Sequence, residues 1–258
     1  MQRPGATPHT TRTPRVIAAR KLHRRRDRDD AGLFLVEGPQ AVREARGVVE
    51  LFGTAEALDR YAATVAAHPH ARVSPVTEDA LAVLAETVNP QGLVAVCRQL
   101  HVTEIPDATR LAVVLAGIAD PGNAGTVLRT ADAAGADLVV FPEGTVDPYN
   151  GKCVRASAGS LFHLTVVRGG EPLAAVETLR AAGLRVLAAD ADGETLLDDL
   201  RLHAGTVWIF GSEAHGLDPR VAAAADARVR IPIYGKAESL NLAAAAAICL
   251  YATARSVD

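Results

Sequence analysis

Short apolar runs alternate with amphipathic stretches along most of this chain, and the alternation predicts a repeated strand–helix order. Within residues 30–98, four runs have strand character: GLFLVEG, VVELFG, RVSPV and GLVAVCR. The stretches between them, such as PQAVREAR and TEDALAVLAET, have helical character, and PQAVREAR begins with a proline, as helices often do. The pattern predicts a small α/β module, followed by a linker at residues 99–109.

A second alternating series begins at residue 110. Its first run, LAVVLAGI, is apolar without interruption, which is typical of a strand buried on both faces of a parallel sheet. The runs DLVVFP, HLTVV, LRVLAAD and TVWIF follow, separated by helical or polar stretches. Repeated strand-then-helix units imply a parallel sheet covered by helices. The predicted fold class is therefore α/β, with a parallel-sheet domain at 110–258 preceded by a smaller domain at 14–98.

The last stretch, RIPIYGKAESLNLAAAAAICLYATAR, predicts an extended segment, a loop and a long helix. Val229 to Ile233 is extended and apolar, but Pro232 is awkward in a central strand because it donates no hydrogen bond. Ser239 is predicted to cap a helix that runs to about Arg255. Apolar residues fill almost every position of that helix, so we expect it to be buried on more than one side.

Three polar or glycine-bearing turns follow predicted strands. They are DPGNAG at 120–125, GSEAHG at 211–216 and the IPI segment that leads to SLN at 239–241. Each turn has an ordinary structural explanation as a cap or a glycine turn. Ligands, however, bind beyond the carboxyl ends of the strands in open parallel sheets, so three such turns together favour a binding or catalytic site.

Common catalytic signatures are missing from these turns. The glycines do not form G-x-G-x-x-G, and the chain has no G-K-[ST], C-x-x-C, H-x-x-x-H or G-x-S-x-G. Hydride transfer, nucleotide hydrolysis, metal-dependent hydrolysis and serine hydrolysis are therefore not favoured.

Charge is concentrated near the start of the chain. The net charge of −3 gives no overall basic field, yet PRVIAARKLHRRRDRDD holds a dense run of cations and predicts a basic helix. The run fits either a solvated surface helix or a clamp for phosphates, and the sequence leaves both open. The candidate phosphate-binding residues in it are Arg15, Lys21, Arg24, Arg25 and Arg26. Residues 1–13 have no apolar periodicity and are predicted to be a disordered tail.

Size and cysteine usage indicate the cellular setting. With 258 residues and 49% hydrophobic content, the chain can bury a substantial core. Its three cysteines are far apart and lack metal-ligand spacing, which fits a reduced cytoplasm and predicts no metal site. No signal peptide or bilayer-length apolar run is found. We expect a soluble cytoplasmic protein.

Three segments resemble the SpoU (TrmH-like) branch of the SPOUT RNA methyltransferases, in that family's order and spacing. They are DPGNAGTVLRTADAAGAD, IFGSEAHGL and IPIYGKAESLNLAAAAAICLY, and GKCVRASAGSLF also looks like that family. The resemblance covers residues 110–256. The N-terminal segment KLHRRRDRDDAGLFLVEGPQAV resembles an L30e-like substrate-binding domain.

This resemblance implies an activity and a cofactor. The family transfers a methyl group from S-adenosylmethionine to a ribose 2′-hydroxyl in structured RNA. It works as a homodimer, and its catalytic domain contains a deep trefoil knot. Carried over by position, Gly211, Ile231 and Leu240 would contact the cofactor.

The resemblance also implies catalytic roles. Arg129 matches the arginine that the family assigns to catalysis, often described as the base that takes the 2′-hydroxyl proton. A clamp on the adjacent RNA phosphate is the favoured role here, because a guanidinium resists deprotonation. Asn123 and Asn241 would arrange the site and the ribose. Glu213 would orient Arg129 or a loop amide, and Ser239 would contact RNA phosphate while capping its helix.

The RNA substrate is left partly open. The L30e-like module favours ribosomal RNA, because tRNA-directed members of the family tend to have a different, shorter N-terminal extension. The specific prediction is 23S ribosomal RNA. A tRNA substrate and a non-catalytic RNA-binding protein of the same fold are the alternatives, and a drug-resistance methyltransferase is also compatible. His215, where the family usually has a small residue, is interpreted as a surface residue.

Overall fold

The computed structural model describes residues 7–106 and 109–257, and these residues form two compact units. One unit comprises the chain up to Leu100 together with Tyr149–Phe162, and we call it unit 1. The other, unit 2, comprises His101–Pro148 and the chain from His163 onward. The predicted α/β class, with a parallel sheet and a small N-terminal domain, is confirmed. The trefoil knot implied by the resemblance stays a prediction.

Strands and helices alternate along both units. The strands are β1 (Leu33–Glu37), β2 (Val48–Gly53), β3 (Arg72–Pro75), β4 (Leu93–Arg98), β5 (Leu111–Leu115), β6 (Leu138–Phe141), β7 (Thr165–Arg168), β8 (Arg185–Ala189), β9 (Thr195–Leu196), β10 (Thr206–Phe210) and β11 (Ala227–Arg230). The helices are α1 (Pro14–Lys21), α2 (Arg25–Ala31), α3 (Pro39–Glu44), α4 (Ala55–Arg60), α5 (Ala62–Ala66), α6 (Glu78–Leu84), α7 (Pro121–Ala133), α8 (Gly151–Ser157), α9 (Pro172–Ala181), α10 (Pro219–Ala223) and α11 (Leu242–Val257).

Unit 1 is built on a four-stranded sheet in the order β1-β4-β2-β3. Strand β4 is antiparallel to both β1 and β2, and β3 runs parallel to β2. The predicted basic helix is interrupted: Leu22 packs into the core after α1, and Arg24 is extended before α2 begins. The stretch between β2 and β3 forms two helices, α4 and α5, which are divided at Tyr61.

The predicted disordered tail is only partly within the described residues. Residues 1–6 lie outside them. Of the remainder, His9 forms a bridge beside β3: its N–H donates to Pro75 O at 2.8 Å, and its carbonyl accepts from Thr77 N at 3.0 Å. The expected lack of structure is therefore wrong for His9, because these hydrogen bonds hold its backbone.

The segment Tyr149–Phe162 packs within unit 1. Tyr149 is buried, and its ring centroid lies 4.6 Å from that of Phe34 on β1. The Tyr149 hydroxyl accepts the N–H of Leu100 at 3.0 Å. On α8, Arg155 donates to Glu86 at 2.7 Å. A stretch that resembles the methyltransferase domain in sequence thus completes the core of the N-terminal unit.

Unit 2 contains a seven-stranded sheet in the order β7-β6-β5-β10-β8-β11-β9. All neighbouring strands in it are parallel. Strands β5, β6 and β10 are buried at every position, which explains their uninterrupted apolar runs. Trp208 on β10 is fully buried, and its indole N–H donates to Thr253 Oγ1 on α11 at 2.9 Å.

The strand order reverses between β5 and β10. From β5 the chain moves outward to β6 and β7, and it returns on the other side of β5 through β8 and β10. Ligands of open parallel sheets bind in the crevice outside the carboxyl ends at such a reversal. The turns that follow β5 and β10 are therefore the best-placed part of unit 2 for a site.

Two helices begin elsewhere than predicted. Helix α7 starts at Pro121, so most of the DPGNAG turn is its first turn, and Asp120 Oδ1 accepts the N–H of Asn123 at 2.8 Å as a cap. Helix α11 starts at Leu242, and its cap is Asn241 rather than Ser239. The Asn241 Oδ1 reaches the N–H of Ala243 at 2.9 Å, whereas Ser239 lies too early in the chain to do so.

Other features complete the comparison with the sequence. Strand β11 ends at Arg230, so Pro232 falls outside it, in agreement with its poor fit to a strand. Helix α10 and the short strand β9 were not predicted. Among the described residues, no helix is long and apolar enough to cross a membrane.

Candidate active site

Three side chains from the three polar turns form one hydrogen-bonded set. The Asn123 Nδ2 donates to Glu213 Oε1 at 3.0 Å, and the Asn241 Nδ2 donates to Asn123 Oδ1 at 3.2 Å. These residues stand on the first turn of α7, in the loop after β10 and at the cap of α11. The fold thus brings together residues up to 118 positions apart, and we call them the Asn–Glu–Asn set.

Glu213 also fixes the turn after β5. Its Oε2 accepts the N–H of Ala119 at 3.3 Å. Burial acts to raise the pKa of Glu213, but hydrogen bonds from Asn123 and from backbone N–H groups, including those of Ala119 and Asp120, outweigh it and lower the pKa below its ordinary value. Glu213 is therefore an anion at neutral pH and serves as an acceptor. Of its two anticipated partners, it contacts the loop amide.

The loop after β10 is closed on itself. Ser212 N–H donates to Gly216 O and Gly216 N–H donates to Ser212 O, each at 2.9 Å. A Cβ on Gly211 would lie 2.6 Å from both Gly216 O and Leu217 N, so only glycine fits there. Gly216 has a φ of 67°, in the region that favours glycine. The glycines of GSEAHGL therefore shape a tight loop that holds the Glu213 carboxylate in place.

A residue that the sequence did not single out supports the turn after β5. Thr145, in the loop after β6, is buried, and its Oγ1 accepts the N–H of Gly117 at 2.9 Å. The same hydroxyl donates to Leu115 O at the end of β5. Val146 N–H donates to Ile118 O at 2.9 Å. A polar EGTVDP segment directly after a buried strand was the available signal for this support.

Arg129 is exposed on α7. Its guanidinium makes no hydrogen bond or ion pair with the residues that the structure describes, so it is available to a ligand. The anticipated contact between Glu213 and Arg129 is thus not made. Thr126, one turn earlier on the same face of the helix, is exposed as well.

The other candidate site residues lie at the same ends of the strands. Gly211 follows β10 directly, and Ile231 follows β11 and is half-buried. Ser239 and Leu240 precede α11 and are exposed. His215 is exposed at the tip of the closed loop, as anticipated for a surface residue. The described residues contain no cluster of side chains suited to hold a metal ion.

The candidate RNA-binding cations of unit 1 differ in their surroundings. Arg15 pairs with Glu50 at 3.2 Å. On α2, Arg25 and Arg26 lie 3.7 Å from Asp29 and Asp30, respectively, one helical turn later. Lys21 and Arg24 are exposed and make no side-chain hydrogen bond or ion pair within the described part of the chain. The last two are therefore the most available to phosphates.

Two family models match separate parts of the chain. Residues 110–251 match the model of the SpoU rRNA Methylase family, and residues 13–95 match the MRM3-like substrate binding domain. A similar protein is the 23S rRNA (guanosine(2553)-2′-O)-methyltransferase RlmP of Bacillus subtilis, 36% identical over 90% of this chain and 92% of its own length. The 23S rRNA (guanosine-2′-O-)-methyltransferase RlmB of Bordetella pertussis is 29% identical over 71% of this chain and 78% of its own.

Solved structures show the same architecture. An AdoMet-bound rRNA methyltransferase from Sinorhizobium meliloti has a TM-score of 0.85 and 31% identity, covering 96% of this chain and 97% of its own. The SpoU methyltransferase AviRb from Streptomyces viridochromogenes, in complex with AdoMet, has a TM-score of 0.84 and 31% identity, covering 95% and 98% of the two chains. The similarity therefore extends over both units.

Proposed function

The chain belongs to the SpoU rRNA Methylase family, and we propose that it transfers a methyl group from S-adenosylmethionine to a ribose 2′-hydroxyl of 23S ribosomal RNA. The observation that carries this proposal is the Asn–Glu–Asn set at the strand-order reversal of a parallel sheet. An RNA-binding protein without catalysis has no need of such an arrangement together with an available arginine on the same helix as Asn123. The set therefore favours an enzyme over a binding protein.

The residues at these strand ends fit the cofactor. Residues 232–240 make no backbone hydrogen bond with the described residues, so their N–H and C=O groups are available to a polar ligand. Gly211, Ile231 and Leu240 flank that segment or lie within it, and we assign them to cofactor binding. S-adenosylmethionine, when bound, supplies a methyl group activated by a positively charged sulfur.

Arg129 is assigned to the RNA phosphate next to the target ribose. Its guanidinium keeps its proton, carries five donors and can bind a phosphate through two parallel hydrogen bonds. No acidic side chain among the described residues forms an ion pair with the Arg129 guanidinium. Holding the phosphate fixes the ribose, so that the 2′-hydroxyl is oriented for attack without Arg129 acting as a base, and the hydroxyl proton is released to solvent water.

The remaining polar residues arrange this site. Glu213 holds Asn123 and the Ala119 amide, while Asn241 joins Asn123 to the start of α11. We assign Asn123 and Asn241 to positioning the ribose. Glu213 holds Asn123 directly and Asn241 through Asn123. Ser239 is exposed and not occupied by capping, so its hydroxyl is assigned to an RNA phosphate.

Unit 1 is assigned to RNA binding. We propose residues 14–98 as the RNA-binding domain and residues 110–258 as the catalytic domain, although Tyr149–Phe162 of the latter packs in unit 1. The surface cations of unit 1, including Lys21 and Arg24, would hold phosphates away from the reacting ribose. This assignment also explains how a chain with a net charge of −3 binds a polyanion.

We further propose that the protein acts as a homodimer in the cytoplasm. On α11, the exposed positions Ala244, Ile248 and Tyr251 follow one another at helical spacing, and Ile248 and Tyr251 are 40% and 51% exposed. An apolar stripe of this kind fits a second copy of the chain. Sedimentation of the wild type against Ile248→Glu tests it, with a dimer expected only for the wild type.

The substrate class is tested by methyl transfer to separate RNA pools. Purified protein is incubated with labelled S-adenosylmethionine and with 23S ribosomal RNA, 16S ribosomal RNA or bulk tRNA. Label in 23S RNA, released as a 2′-O-methylated nucleoside, is the expected result. Label only in tRNA would change the substrate and keep the reaction, and the absence of both label and cofactor binding would favour a non-catalytic binder. A role in drug resistance is tested separately by ribosome sensitivity to antibiotics.

A further inference from the structure

Tyr234 is the most exposed of the described Phe, Tyr and Trp side chains. It is 89% exposed, whereas Trp208, Phe34, Phe52, Phe141 and Phe210 are fully buried. Burying an aromatic ring is favourable, so a ligand that covers the exposed Tyr234 ring gains binding free energy. Tyr234 also makes no hydrogen bond or ring contact with the residues that the structure describes.

The surrounding loop holds this ring outward at the catalytic edge. Residues 233–241 are all exposed, and the loop is anchored at one end by β11 and at the other by Asn241 of the Asn–Glu–Asn set. Between these anchors the backbone is free of hydrogen bonds to the described residues, so it can adapt to a ligand.

A positively charged side chain follows Tyr234 in the same loop. Lys236 is exposed two residues after Tyr234, and no acidic side chain among the described residues pairs with it. An aromatic face beside a free cation is the combination that proteins use for single-stranded nucleic acids, where bases stack on the ring and phosphates meet the charge.

We propose that Tyr234 stacks against an RNA base beside the target ribose and that Lys236 contacts a neighbouring phosphate. This inference rests on the proposed function and defines its substrate further. A ring can stack only on a base whose face is accessible, and in an A-form duplex the faces are covered by adjacent base pairs. The target nucleotide or its neighbour is therefore unpaired, in a loop, a bulge or an opened helix.

The test compares Tyr234→Ala with Tyr234→Phe, which keeps the ring. RNA affinity is measured with a labelled, unmodified 23S fragment that contains the nucleotide to be methylated. Cofactor affinity is measured by calorimetry. Val102→Ala, at an exposed side chain of unit 2, is the control. Alanine substitution removes stacking worth about 1–3 kcal/mol per base, so Tyr234→Ala should weaken RNA binding by about 5- to 150-fold. Tyr234→Phe and the control should bind as the wild type does.

A second arm uses the RNA. Pairing the target loop with a complementary strand should remove most of the difference between wild type and Tyr234→Ala, because the base is no longer available. Unchanged RNA affinity in Tyr234→Ala overturns the proposal, and so does a loss of cofactor binding or of dimer formation in that variant. If the wild type transfers no methyl group yet Tyr234→Ala still weakens RNA binding, the proposed function fails and the stacking site stands.

Discussion

Single glycines decide whether the loop after β10 can close. Gly211 meets the backbone of Gly216 and Leu217 at distances that leave no room for a side chain. Because the atoms in the way belong to the backbone, the loop must shift if a Cβ is added. The carboxylate of Glu213 would move with it, away from Asn123 and Ala119.

Gly211→Ala should therefore disturb both stability and the site. We expect a lower melting temperature, with a loss of about 1–3 kcal/mol, as for small-to-large changes at packed positions. Weakened binding of S-adenosylmethionine should accompany it. Gly235→Ala is the stability control, because a Cβ there meets nothing within 4 Å. Equal melting temperatures for the two variants would contradict the closed-loop account.

The grouping of polar side chains was predictable where a polar residue follows a buried strand. Asn123, Glu213 and Asn241 belong to such turns, and the structure joins them. Ser239 was misjudged because serine and asparagine both cap helices and the sequence does not show which residue the first N–H groups face. The support that Thr145 gives to the turn after β5 was not predictable, because it depends on the contact between two loops that are distant in sequence.

At the scale of elements, a chain of charges fixes α8 within unit 1. Arg155 Nη1 lies 2.7 Å from Glu86 and 3.6 Å from Glu37, and Glu86 in turn lies 3.3 Å from His23. The hydrogen bond from His23, opposed by burial and aided by Arg155, lowers the pKa of Glu86 to about 2. The same hydrogen bond to Glu86 is the main cause that raises the pKa of His23, against the effect of burial.

This charge chain predicts how stability varies with pH. Because the pKa of His23 is raised in the folded state, protonated His23 stabilises the fold fully below pH 6.5, its ordinary pKa. This stabilisation is lost as the pH rises through the pKa of the folded state. A lowered carboxyl pKa stabilises above 4.5 and loses its effect as pH falls toward about 2. His23→Gln should therefore lower the melting temperature most between about pH 5 and 6, and less toward pH 8. A difference that grows with rising pH would contradict the assignment.

Element identity was more predictable than element limits. Fully buried strands appear as apolar runs, so β5, β6 and β10 were found from the pattern alone. Helix starts were less certain, because a capped first turn and a loop have the same composition. The placement of α8 in unit 1 was not foreseen, since burial of Tyr149 against Phe34 depends on tertiary packing.

For the whole molecule, RNA binding should depend on the cations that have no acidic partner. Removal of one cation that binds a phosphate reduces the salt slope by about 0.7–0.9. Lys21→Ala combined with Arg24→Ala should thus flatten the plot of log affinity against log salt by about 1.4–1.8. The pair Arg25→Ala and Arg26→Ala is the matched control and should have a smaller effect, because Asp29 and Asp30 already offset those charges. Equal slopes for the two double variants would contradict this ranking.

The presence of a small N-terminal domain before a parallel-sheet domain was predictable because both repeat the strand–helix alternation. The membership of Tyr149–Phe162 in unit 1 was not predictable. The order of the strands was not predictable either, since parallel neighbours are joined by long crossovers and the sequence does not specify which strand lies beside β5. That order creates the reversal point between β5 and β10, and with it the position of the site.

The central claim is that Arg129 and the Asn–Glu–Asn set catalyse ribose methylation in ribosomal RNA, and one comparison tests it most directly. Labelled methyl transfer to 23S RNA is measured for the wild type and for Arg129→Ala, with cofactor affinity and melting temperature determined for both. The account predicts transfer by the wild type and a loss of at least about 100-fold in the variant, while cofactor binding and stability are unchanged. Equal transfer by the two proteins would contradict it.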